Sequence, residues 1–278
     1  MKASEHAHLE RIRDRFSSTA EPFAEFALSL RAKEGEWMAA VATSDFPDAG
    51  RALGIDLACG PGTLTRPFLA HLTRVIGVDL TPAMLVHARQ TTRDSRPDRV
   101  GFVCANAYAL PFADGAADIA FCGYAMHHLL EPGAAIREMA RVVRNGGRVA
   151  IIDLVLPEGA DREMHDRIER TRDSSHASTL RTAELRSQLR DAGLHVRTCE
   201  QDNRDRDFDH WMHVAGHEPG SETYIETRRL MEATIANDAA GFRPQPARGN
   251  RALHLGQTAV LLVAEKTGAG SPWSPRLK

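Results

Sequence analysis

One stretch constrains this chain more than any other: Leu53-Gly54-Ile55-Asp56-Leu57-Ala58-Cys59-Gly60-Pro61-Gly62-Thr63. Leu53, Ile55 and Leu57 alternate as the apolar positions of a short buried strand. The run is too short and too closely bounded by glycine to be a helix. Gly60 and Gly62 allow a sharp turn and a close approach of backbone to a ligand. Leu64, Phe68, Leu69 and Leu72 then recur at helical spacing. The stretch therefore reads as strand, glycine turn, helix.

A glycine turn after a first strand suggests a nucleotide-like ligand at the carboxyl end of a parallel sheet. The dinucleotide fingerprint G-x-G-x-x-G is incomplete, because Thr65 stands at its third position. Asp56 is more informative. A carboxylate at the strand end repels a diphosphate and suits a positive charge, such as the ammonium group of an amino acid. S-adenosylmethionine offers that ammonium together with a ribose and an adenine.

The chain has 278 residues, enough for one large domain or one domain with an insertion, and its 42% hydrophobic content supplies a sizeable core. Lys and Arg number 35 against 37 Asp and Glu, so nothing points to nucleic acid or an anionic membrane. No apolar run reaches membrane-spanning length, and MKASEHAHLERIRDRF has no signal-peptide apolar region. Cys59, Cys104, Cys122 and Cys199 are widely spaced, with no C-x-x-C pair. The expectation is small buried thiols in a reducing cytoplasm.

Taken in order, residues 1–45 are helical and amphipathic, with stripes at Leu9, Ile12 and Phe16 and at Phe23, Phe26, Ala27 and Leu30. Two readings stand: a prefix packed on the sheet, or a lid with Phe16, Phe23 or Phe26 lining a ligand. Val75 to Asp79 is the second strand and ends in an acid roughly 20 residues after the glycine turn, where a carboxylate can accept both ribose hydroxyls. Thr81-Pro82 opens a helix carrying Met84, Leu85 and Ala88. Val100 to Cys104 and Asp118 to Cys122 are the third and fourth strands. Pro132 starts a helix closed by Asn145-Gly146-Gly147, and Val149 to Leu154 is the fifth strand. Residues 157–180 are polar and charged. Thr182 caps a helix with Leu185 and Leu189, His195 to Cys199 is a sixth strand, and Thr258 to Ala264 the last. Alternating strands and helices imply a parallel α/β sheet.

These motifs together resemble the class I S-adenosylmethionine-dependent methyltransferases, in particular the ubiquinone/menaquinone-biosynthesis type and its small-molecule relatives. The matching residues are Asp56 to Gly62, Gly77-Val78-Asp79, Ala105-Asn106-Ala107 with Leu110-Pro111-Phe112, Asp118 with Tyr124 to His128, and Leu129 to Ile152. The resemblance implies a Rossmann-like sheet of seven strands, mostly parallel with the last antiparallel, and helices on both faces. It divides the chain into an N-terminal helical lid (1–45), a cofactor-binding core (46–201), a substrate-covering insertion (202–256) and the last strand with a tail (257–278).

By the same resemblance, Asp56 and the Gly60/Gly62 turn hold the methionine end of S-adenosylmethionine and Asp79 the ribose, and Ala58, Cys59, Leu80 and Met84 are further cofactor contacts. Asn106, Ala107 and Cys122 complete the cofactor site. Asn106 departs from a common aspartate. Its side-chain oxygen can still accept from the adenine amino group, without the charge-assisted bond an aspartate makes. Phe16, Tyr124, Arg172, His176 and Trp211 are candidate substrate contacts, Trp211 reading more readily as core. His127 and His128 follow the fourth strand, and one of them suits proton removal from the acceptor. Neighbouring residues cannot share one direction, so at most one is the base. His127 lies nearer the strand end. The alternative is alignment alone, with both histidines structural.

The implied activity is C-, O- or N-methylation of a small organic acceptor, quinone-like or a natural product. A cofactor-binding protein that does not methylate, either a sensor or an enzyme of another reaction, is the alternative. Asp56 opposes a dehydrogenase. Cys122-Gly123-Tyr124 replaces the Asn/Asp-Pro-Pro-aromatic turn of nucleic-acid amino-methyltransferases, which argues against a DNA or RNA substrate. His210, His213 and His217 can share a helix face, but no Cys or placed acid completes a metal set, so no metal is expected. The protein is expected to be a monomer or homodimer, with no membrane insertion.

Overall fold

The computed structural model describes residues 3–268 except 31, 48, 96–97 and 246–252. The Phe26 side chain, part of the insertion before the last strand and residues 269–278 of the expected tail lie outside the described residues.

Seven strands form one sheet: β1 (Leu53–Leu57), β2 (Arg74–Asp79), β3 (Val100–Cys104), β4 (Ala117–Gly123), β5 (Val143–Val155), β6 (Leu194–Asp207) and β7 (His254–Lys266). Their order is β3-β2-β1-β4-β5-β7-β6. β1 to β5 pair in parallel, and β7 runs antiparallel to both β5 and β6. Order reverses at β1 and β4, so the carboxyl ends of these two strands flank the crevice in which ligands of open α/β sheets bind.

Among the described residues, ten α-helices accompany them: α1 (Ala3–Ser18), α2 (Ala20–Leu30), α3 (Ala32–Thr43), α4 (Thr65–Leu69), α5 (Pro82–Thr91), α6 (Pro132–Val142), α7 (Arg162–Arg172), α8 (Thr182–Asp191), α9 (Phe208–Val214) and α10 (Glu222–Glu232). Alternation along the strands sorts the core into two layers. Ala120 and Cys122 of β4 face a layer with Ile136 and Met139 of α6 and Leu185 and Leu189 of α8. Ile119 and Phe121 face the other, with Met38, Ala39 and Ala42 of α3 and Phe68 of α4. Phe68 stacks on Phe121 at 3.6 Å between centroids.

The structure adjusts several boundaries. β5 begins directly after α6, at Val143 opposite Ala117, and Gly146 lies inside it at φ 74°. The residue before α8 is Arg181, whose N–H donates to Glu184 Oε2 at 2.7 Å; Thr182 instead receives the Gln201 amide. The polar stretch 157–180 contains α7, whose first turn is capped by Asp161 accepting from the Met164 N–H at 3.2 Å. β6 continues well past Cys199 to Asp207. Its last residues, 204–207, pair with 254–257 of β7 beyond the point where β5 ends opposite Thr258. This two-stranded arm reaches over the carboxyl ends of the parallel strands. A third apolar cluster sits beside it, built from Ile168 of α7, Phe208, Trp211 and Met212 of α9, Tyr224 and Met231 of α10, and Phe242.

Candidate active site

The turn after β1 is held from both sides. Cys59 N–H donates to the Val78 carbonyl at 3.0 Å, and Gly60 N–H donates to Asp79 Oδ2 at 2.8 Å. Asp79 Oδ1 accepts from the Thr81 N–H at 2.8 Å. Gly60 and Gly62 have φ of 52° and 83°, where a side chain is strained. A Cβ on Gly60 would approach only the Phe23 ring, at 3.9 Å across the cavity. Gly62 faces α5 instead, where a Cβ would meet the Ala88 backbone at 3.4 Å.

Two cavities lie at this end of the sheet. The first, about 110 Å³, is lined by Asp56, Ala58, Cys59, Gly60, Asp79, Leu80, Met84, Asn106 and Ala107, and is roofed by Leu9, Ile12 and Phe16 of α1 and Phe23 and Ala27 of α2. Among the described residues, its wall contains two carboxylates and no lysine or arginine. Asp56 is 1% exposed. Its Oδ2 accepts from the Thr65 hydroxyl at 2.6 Å, while its Oδ1 has no hydrogen-bond partner among the described residues. Burial pushes the Asp56 carboxyl up to about 8, against the pull of Thr65. Burial also raises Asp79, opposed by the N–H groups of Thr81 and Gly60.

A buried carboxylate oxygen without a donor is costly. A ligand ammonium would satisfy Asp56 Oδ1, and the space above Gly60 would admit the ligand's backbone-like end. The residues present therefore fit an amino-acid-bearing nucleoside.

The second cavity, about 70 Å³, shares Phe16, Phe23, Tyr124 and His128 with the first and adds Arg15, His127, Leu154, Glu169, Arg172, Asp173, His176, Arg206, His210, Trp211, Val214 and Gln257. His127 Nδ1 lies 2.6 Å from Asp153 Oδ1. Asp153 is 1% exposed and also accepts from the N–H groups of Met126 and Leu154, both at 2.7 Å. Burial works against ionisation of Asp153, but His127 and these N–H groups outweigh it and hold the carboxyl below its ordinary value. His128 takes another role. Its Nδ1 sits 3.0 Å from the Ser175 hydroxyl, and its carbonyl accepts from His8 Nε2 of α1 at 2.7 Å. Burial, then the neighbouring His127, pushes His128 down to about 3. His176 is paired with Asp166 at 3.0 Å.

Tyr124 joins the two cavities. It adopts φ 56°, uncommon for a bulky residue. Its hydroxyl donates to Glu34 of α3 and accepts from Arg204 of β6, and Arg204 pairs with Glu34 at 2.7 Å.

Most of the expected site residues gather here. Two do not. Cys122 is fully buried and lines neither cavity, because alternation along β4 turns it, with Ala120, into the α6/α8 core layer. Gly62 serves the turn by allowing α5 to pack close. Asn106 lines the first cavity, but its Oδ1 already accepts from the Tyr108 N–H at 3.0 Å, leaving one lone pair and the amide group toward a ligand. Arg172 lines the second cavity, its Nε–H donating to the Trp211 carbonyl and an Nη1–H to Glu169. Trp211 belongs at once to the third apolar cluster and to this wall. His213 pairs with Glu218, and His217 Nε2 with the Arg172 carbonyl.

Strand order, the reversed last strand and a glycine turn over an acid at the sheet's switch point define a Rossmann-like methyltransferase fold. Residues 55–151 match the methyltransferase domain family. The chain is 29% identical to the uncharacterized methyltransferase YcgJ of Bacillus subtilis (strain 168) over 66% of this chain and 73% of that protein. It is 37% identical to a demethylmenaquinone methyltransferase of Roseiflexus sp. (strain RS-1) over 44% of this chain and 50% of that one. The crystal structure of the Bacillus YcgJ protein superposes with a TM-score of 0.74 at 24% identity, covering 84% of this chain and 99% of that one. The described residues hold no helix long and apolar enough to cross a membrane.

Proposed function

We propose that this chain is an S-adenosylmethionine-dependent methyltransferase acting on a small organic acceptor through carbon, oxygen or nitrogen. One observation carries the reading: Asp56 presents a buried oxygen without a donor, in a cavity whose wall has two carboxylates and no cation. A diphosphate meets no lysine or arginine among the described residues of that wall, while an ammonium completes the site.

Asp56 would hold the ammonium and Asp79 the ribose hydroxyls, with Asn106 and Ala107 beside the adenine. Such a cofactor supplies an activated methyl group to a nucleophile aligned behind it. The chain's own part is alignment and proton removal. Phe16, Phe23, Tyr124 and His128 line both cavities and bound the junction where acceptor and methyl group would meet. Asp153 fixes His127 with its Nδ1–H donating, which leaves Nε2 as the accepting nitrogen of the ring. His127 therefore takes the acceptor's proton. His128, held neutral, closes the wall.

Incubation with methyl-labelled S-adenosylmethionine and a panel of hydroxyl, amine and quinol acceptors tests the reading. Transfer of label to at least one small acceptor is expected. Tight cofactor binding with no transfer to any acceptor would contradict it and leave a binding protein.

A further inference from the structure

The second cavity carries more positive charge than its own wall neutralises. Three guanidiniums line it, those of Arg15, Arg172 and Arg206, against two carboxylates, those of Glu169 and Asp173. Arg15 lies 3.5 Å from Asp173 and donates to the Ala215 carbonyl at 3.1 Å. Arg172 lies 3.3 Å from Glu169, donates to the Trp211 carbonyl at 3.1 Å and sits 4.2 Å over the Trp211 ring. Those two pairs cancel. Arg206 has no acid, carbonyl or ring partner among the described residues.

Its position follows from the fold. Arg206 stands on β6 opposite Leu255, on the arm that overreaches β5, and so enters the cavity from the side of the sheet's carboxyl end. The wall around it is partly flat and apolar, with Phe16, Phe23, Tyr124 and Trp211. A guanidinium matches a carboxylate in plane and donor geometry. The charge count favours a single negative charge, because Glu169 and Asp173 in the same wall oppose a second.

We propose that the second cavity takes a planar acceptor bearing one carboxylate, and that Arg206 selects it by pairing with that group. This rests on the methyltransferase reading and narrows it to a substrate class. Arg206 is then the specificity-determining residue of the acceptor site, while Arg172 and Arg15 hold the wall together.

The test uses the full chain saturated with S-adenosylhomocysteine, titrated with benzoate, benzamide and phenyl phosphate. Benzoate is expected to bind the unmodified protein more tightly than benzamide. In Arg206→Gln its affinity should fall roughly tenfold or more, the scale of a charge-assisted bond, and benzamide should not discriminate. Arg206→Lys should fall between. Equal binding of benzoate and benzamide, absence of saturable benzoate binding, or unchanged affinity in Arg206→Gln would overturn the proposal. Phenyl phosphate binding more tightly than benzoate would overturn the single-charge assignment. The comparison of ligands on the unmodified protein stands even if a variant fails to fold. S-adenosylhomocysteine affinity is read first on the same sample. Its absence would contradict the methyltransferase reading itself, separately from the acceptor class.

Discussion

Nδ1 of His127, in the short turn that follows β4, lies 2.6 Å from the carboxylate of Asp153, near the end of β5. The pair ties the turn after β4 to the neighbouring strand β5. It orients one imidazole and leaves its adjacent neighbour, His128, in a different hydrogen-bond set.

Removal of the oriented base should therefore separate the two histidines. His127→Ala should lower the turnover number by about 10²–10⁴ with S-adenosylhomocysteine affinity nearly unchanged. Asp153→Asn should lower it less and shift the acid limb of the pH–rate profile, because the ring loses its charged partner. Steady-state kinetics with the true acceptor checks both. A loss under tenfold in His127→Ala would leave alignment as the only catalytic device.

His128 should instead govern stability in acid. Its folded value is pushed down from 6.5 to about 3, first by burial and then by His127. Asp173 works in the opposite direction, and His176 in the same one. The unfolded chain thus binds a proton that the folded chain does not, so stability is lost as pH falls through 6.5 toward 3. His128→Asn keeps an N–H donor toward the Ser175 oxygens, the hydroxyl itself donating to Asp173, and removes the titration. Its denaturant midpoint should fall less steeply than that of the unmodified protein between those limits. Parallel curves would contradict this assignment.

Much of the cofactor site is legible in the sequence because it is local. Asp56, the glycine turn and Asp79 sit at strand ends, where period-two apolar runs mark the boundary. The acceptor side is less legible. β6 lies at the sheet edge, and residues 200–206 carry mostly charged side chains that give no alternating apolar signal. The arm that carries Arg204 and Arg206 is therefore missing from a sequence reading. The Glu34–Tyr124–Arg204 set joins residues about 80–90 positions apart in the chain, and no local spacing announces it. Cys122 reads as a strand-end residue near ligand, yet strand alternation turns it into the core.

The covering segments should divide into mobile and fixed parts. α1 meets the acceptor side through His8 on the His128 carbonyl and Arg15 beside Asp173, a few polar links over a cavity. α3 is anchored by the fully buried Met38, Ala39 and Ala42, and α9 and α10 by the fully buried Phe208, Met212 and Met231. Hydrogen exchange should slow in α1 and α2 on adding S-adenosylhomocysteine, and change little in α3, α9 and α10. Equal slowing throughout, or none in α1 and α2, would show that the N-terminal helices are not a lid.

The central claim concerns Asp56. Calorimetric titration at pH 7, repeated in two buffers of different ionisation enthalpy, reads affinity and proton release together. Asp56, raised to about 8 by burial, is mostly protonated in the free protein at that pH and must ionise to pair with an ammonium. S-adenosylhomocysteine is expected to bind in the micromolar range and release part of a proton from Asp56, and Asp56→Asn should lose both the affinity and that release. NAD is expected not to bind. Binding of NAD in preference to S-adenosylhomocysteine would contradict the account.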